Sequence, residues 1–123
     1  MALKRIILRL ARNPGFPDGD MHQGYTIVAP LDADGQLLVD EWRDNKKSCT
    51  VLRFHPDPAE RADGLLTHRG SVWYFHYDED DEGPDETAHR LADHVFRKGE
   101  YVSVRHQGGD ESLTYIVSEV TPV

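Results

Sequence analysis

Apolar and polar residues alternate along this chain in short runs, the two-residue period of half-buried β-strands. From Lys4 to Arg12, Ile6, Leu8 and Leu10 fall on one side and Ile7, Arg9 and Ala11 on the other, predicting a strand that buries the first set. Gly24 to Ala29 forms a second run, stopped by Pro30. Cys49 to Phe54 forms a third, with Cys49, Val51 and Arg53 on one face and Thr50, Leu52 and Phe54 on the other. Leu65–His68 and Ser71–Tyr77 read as a hairpin around Arg69-Gly70. Its second strand is aromatic on both faces, since Trp73, Phe75 and Tyr77 alternate with Tyr74 and His76, so both faces are expected to be covered. The clearest pattern is the last. Glu100 to His106 enters through a turn at Lys98-Gly99, reverses at Gln107–Asp110 and returns as Ser112 to Val120. A two- or four-residue reversal pairs Val104 with Leu113 and Val102 with Tyr115; a three-residue loop swaps the partners.

Between these runs lie turn formers. Asn13 to Asp20 holds two prolines and two glycines and reads as a loop whose Phe16 folds back on the core. Asp32-Ala33-Asp34-Gly35 is a turn. A short helix is expected from Asp40, its side chain capping the amide of Trp42 or Arg43, to about Lys47, near the carbonyl end of the dipole. Pro56 to Gly64 is a loop with one helical turn starting at Pro58. Thr87 to Phe96 reads two ways: a helix capped by Asp85 with an Ala88, Leu91, Ala92 and Val95 stripe, or a strand over Thr87–Leu91. The strand is preferred, because the turn-rich run before it suits a long hairpin. Strands that return in sequence through tight reversals imply antiparallel pairing. The expected architecture is a mainly β, antiparallel small barrel or strongly curved sheet of about seven short strands, with one short helix near residues 40–47. Closure would remove exposed edges.

The 123 residues suit one all-β domain spanning 1–123. The apolar run Ile6-Ile7-Leu8 is too short for a signal peptide core or a membrane span, so a cytoplasmic location and no membrane are expected. The single cysteine, Cys49, excludes an internal disulfide and a multi-thiolate metal site, and reads as an inert strand residue. The net charge of −8 is local: residues 78–86 hold seven of the 22 acids and no base, and the remaining 15 acids nearly balance the 14 bases. A concentrated acidic loop is suited to a basic protein partner, and it disfavours a nucleic-acid partner.

Candidate chemistry is sparse. Seven histidines (at 22, 55, 68, 76, 89, 94 and 106) invite a metal reading, but none are paired at strand or helix ligand spacing. Asp78, Asp80, Glu82 and Gly83 loosely follow a calcium loop, yet Pro84 and His89 occupy later ligand positions, and the flanks read as strands. No nucleophile motif surrounds Ser71 or Cys49. Neither a metal nor another cofactor is therefore assigned, and no catalytic residue. Stacking on Tyr74, Tyr101 or Tyr115 beside Lys4, Arg5, Arg9 and Arg12 would suit single-stranded nucleic acid, against the simpler reading that strand aromatics fill the core.

The run His94-x-Phe96-x-x-Gly99-Glu100-Tyr101-Val102-Ser103 resembles a family of small uncharacterised bacterial proteins, as do the aromatic strand Trp73–Tyr77, Leu10–Pro17 and Ala29–Gly35. The resemblance implies no activity; it supports a strand at Thr87–Leu91. The preferred reading is a non-catalytic binding or interaction module on a β scaffold. Its alternative is an enzyme or sensor whose ligand site gathers His76, His94 and Tyr101, with or without a metal. Single-stranded nucleic-acid binding is third.

Overall fold

The computed structural model describes residues 3–69, 72–76, 86–88, 95–105 and 112–123. Eight antiparallel strands follow one another around a closed barrel in chain order. They are β1 (Leu3–Leu10), β2 (Asp20–Pro30), β3 (Thr50–Phe54), β4 (Ala62–Arg69), β5 (Val72–His76), β6 (Glu86–Ala88), β7 (Tyr101–Arg105) and β8 (Ser112–Pro122). Closure comes from β1, which pairs with β2 on one side and with β8 on the other. Among the described residues the narrowest seam is β6 to β7, where Thr87 pairs with Arg105.

Alternation decides what enters the barrel. Ile6, Leu8 and Leu10 of β1 are buried, as are Tyr25 and Ile27, Val51, Leu66, Trp73 and Phe75, Val102 and Val104, and Tyr115 and Val117. Their neighbours in sequence face outward and include the charged Arg5 and Arg9. A barrel that floats in lipid shows the reverse, an apolar exterior around a polar lumen. No helix among the described residues is long and apolar enough to cross a membrane.

Aromatic rings fill the middle. Tyr25 from β2 meets Phe75 from β5 at a centroid distance of 5.0 Å and Tyr115 from β8 at 5.1 Å. Rings from three separate sectors of the wall touch there, so the lumen is occupied by the protein's own side chains. Eight strands give an interior about wide enough for that filling.

One barrel end is closed by a helix, α1 (Val39–Asp44), and a 3-10 turn, Lys46–Ser48. Trp42 of α1 donates its indole N–H to the Leu66 carbonyl at 2.8 Å and stacks edge-on against Trp73 and His68. Asp40 does not cap this helix. The Leu38 amide is bonded to the Pro30 carbonyl, and Leu38 takes the cap position in extended conformation with no side-chain acceptor. The sheet therefore sets the helix start before Asp40, whose carboxylate instead accepts from Arg43. At the other end, Asn13 donates to the Ala11 and Thr114 carbonyls and accepts from the Thr114 amide, while Phe16 packs partly buried against the core.

The final hairpin pairs Val102 with Tyr115 and Val104 with Leu113, the register of an even-numbered reversal. Gly99, at φ +95°, lets the turn swing back so that its amide reaches the Val117 carbonyl at 2.8 Å. Glu86–Ala88 is strand, in agreement with the preferred reading of that region. Residues 89–94, and with them the rest of that strand proposal, lie outside the described residues.

Candidate functional site

With aromatic rings meeting inside the barrel, the outer wall offers the surface for a ligand, and one row of residues stands out there. Phe54 pairs with Gly24, Gly24 with Arg9, Arg9 with Ile116, and Ile116 with Tyr101. The row crosses β3, β2, β1, β8 and β7 at one register level. At about 4.8 Å per strand step it is roughly 19 Å long, and it wraps over the convex outside of the barrel.

Gly24 makes the row possible. A Cβ there would overlap the Leu8 carbonyl oxygen and lie 2.8 Å from Phe54 Cζ. Phe54 leans across the bare backbone, and the Arg9 guanidinium sits over its ring, 5.6 Å from the centroid. Arg9 is held further by donating from Nε to Ser118 Oγ at 3.1 Å and from Nη1 to the Met21 carbonyl at 2.7 Å. At the far end Tyr101 is 57% exposed, and Met21 beside the row is 69% exposed. Both side chains line one groove.

Two hollows adjoin the row. A groove of about 800 Å³ runs past Arg9, Arg12, Asp18, Lys98 and Tyr101. A smaller one of about 300 Å³ lies among Arg9, His22, Phe54, His55 and Arg61, and shares Arg9 and Met21 with the first. Three arginines in these hollows are pinned by neutral backbone oxygens: Arg9 by Met21, Arg12 by Pro17 at 3.0 Å and Arg61 by His55 at 2.8 Å. Among the described residues the ion pairs lie elsewhere, Arg43 with Asp40 and Arg97 with Asp34. Carbonyl anchoring fixes a guanidinium's position without cancelling its charge. His55 accepts the Asp57 amide on Nδ1 at 2.9 Å, so its neutral form carries the proton on Nε2 as a further donor. Asp20, close to His22 and His55, accepts the His22 amide at 2.8 Å and the Gln23 side chain at 2.9 Å. These bonds, the His22 amide foremost, hold its carboxyl below the usual carboxylate range, with a smaller contribution from the nearby histidines.

Comparison of the chain with protein-family models, curated proteins and solved structures finds no match. The site is read from its own chemistry.

The residues singled out in the sequence fall differently. His76 and Tyr101 both face outward, but they do not meet. Tyr74, Thr87 and Arg105 share one level across β5, β6 and β7. His76 lies two residues beyond that level and Tyr101 four residues before it, a separation of about 20 Å along the strands. His94 and the acidic stretch 78–85 lie outside the described residues. Tyr115, offered as a stacking platform, is 2% exposed in the core, and Tyr74 is half-buried on the outer face. Among the described residues no group of three or more His, Cys, Asp or Glu could hold a metal ion. Cys49 is fully buried, and desolvation pushes its thiol from 9.0 up to about 11. Phe54, Met21, Arg61 and Lys98 were not candidates from the sequence. The available signal was Gly24, a glycine opening a strand pattern, which marks close approach of another chain segment or ring.

Proposed function

We propose that this protein is a non-catalytic binding module whose ligand surface is the outer row from Phe54 to Tyr101 and its two adjoining hollows. One observation carries the reading: Arg9, Arg12 and Arg61 are held by neutral carbonyl oxygens beside the exposed Tyr101 and Met21. Guanidinium groups held by backbone carbonyls rather than by carboxylates lower the cost of binding an anion, because they need little reorganisation when it arrives. An exposed ring and thioether add apolar contact. The filled lumen and the distance between His76 and Tyr101 favour this surface over a site built on those two residues.

Retention on a sulphated polyanion column tests the surface. Although the net charge is −8, the protein is expected to be retained at low salt. The double variant Arg12→Glu/Lys98→Glu, both exposed positions, is expected to flow through while melting at an unchanged temperature. If both proteins flow through, or both elute at the same salt, the groove is not an anion-binding surface.

A further inference from the structure

Resting on that surface, we infer that the ligand is single-stranded nucleic acid. The row alternates what such a polymer alternates. Tyr101 offers an exposed ring at one end, the Arg9 guanidinium lies two strand steps away, and Phe54 stands two steps beyond it. Arg12 and Lys98 flank the Tyr101 end, and Arg61 and His55 flank the Phe54 end. Phosphates meet the cations, and a base stacks on Tyr101, which tolerates any sequence because every base has a π-face. A row of roughly 19 Å suits about four nucleotides, the short end of the range for small single-strand-binding barrels.

The shape of the row argues against a duplex. It wraps over a convex barrel wall, and duplex DNA is stiff over about 150 base pairs. A rigid rod touches such a wall locally, whereas a flexible strand follows it and reaches both hollows. An acidic peptide would satisfy the arginines but has no repeating planar group to meet Tyr101. The described residues on either side of positions 77–85, His76 and Glu86, belong to β5 and β6, and His76 lies about 20 Å along the strands from Tyr101.

Fluorescence anisotropy with a labelled oligothymidylate about twelve nucleotides long tests the inference on the intact chain. Binding is expected at about 50 mM salt, and log K should fall with log salt at a slope near −2, for about three phosphates at 0.7 each. Tyr101→Ala should weaken binding about tenfold and leave the slope unchanged; Arg12→Gln should reduce the slope by about 0.7. A duplex of equal length should bind at least about tenfold more weakly. Equal affinity for duplex and single strand, or no effect of Tyr101→Ala, overturns the inference. If a Glu-rich peptide containing tryptophan binds and the oligonucleotide does not, the ligand class is wrong and the groove reading stands. If neither binds and the polyanion column retains nothing, both fall.

Discussion

Gly24→Ala is the sharpest single perturbation of this fold. On general grounds it should help: alanine restricts the unfolded chain more than glycine does, a gain of about 0.4–1 kcal/mol where the backbone accepts it. At Gly24 the new methyl would overlap the Leu8 carbonyl oxygen and lie 2.8 Å from both the Leu8 carbonyl carbon and Phe54 Cζ. Phe54 can rotate away, but Leu8 is backbone in the centre of β1, paired with Tyr25 and Val117. Relief therefore requires β1 and β2 to separate locally, and overpacking of that kind costs about 1–3 kcal/mol. The net expectation is a loss of about 1–2 kcal/mol, or several degrees in melting temperature for a domain of this size. Urea denaturation of the wild type, Gly24→Ala, and the double variant Gly24→Ala/Phe54→Leu measures it. Because the backbone overlap remains, the double variant should recover none of the loss. If Gly24→Ala is neutral or stabilising, or if Phe54→Leu rescues it, the close approach of β1 to Gly24 is not as described. Gly15→Ala is the contrast, with φ +85° and nothing within 4 Å of a Cβ, so any cost there is backbone strain alone.

Val102 is fully buried and Ser103 half-buried on the opposite face, so Val102→Asp should abolish cooperative thermal unfolding while Ser103→Asp keeps a wild-type circular dichroism spectrum. Equal damage from both would mean that both faces are packed. Trp42→Phe leaves the buried Leu66 carbonyl without its donor and should cost about 1–3 kcal/mol in urea denaturation. Cys49 should resist a thiol reagent in the native protein and react on denaturation. Its folded pKa of about 11 exceeds the ordinary 9.0, so the native state retains the proton that the unfolded chain releases. Stability should therefore fall as pH rises from about 9 to 11, and Cys49→Ala should flatten that part of the curve.

Much of the scaffold was legible because strand alternation is local: Ile6, Leu8 and Leu10, Val102 and Val104, and Tyr115 and Val117 announce their buried faces within a few residues. The glycine turns at Gly35 and Gly99 were equally plain, since both hold positive φ. Their partners across the barrel were not. The start of the helix was set by a sheet bond to Leu38, which overrode the capping chemistry of Asp40. Closure joins β1 to β8 across more than a hundred residues, and no short-range pattern encodes that register. The same closure placed Arg9 between Phe54 and Tyr101 and kept His76 away from Tyr101. Residue order thus determined which faces were apolar and where the chain turned. Only the tertiary structure decided which outward residues share a level, because that depends on the stagger of the strands around the barrel.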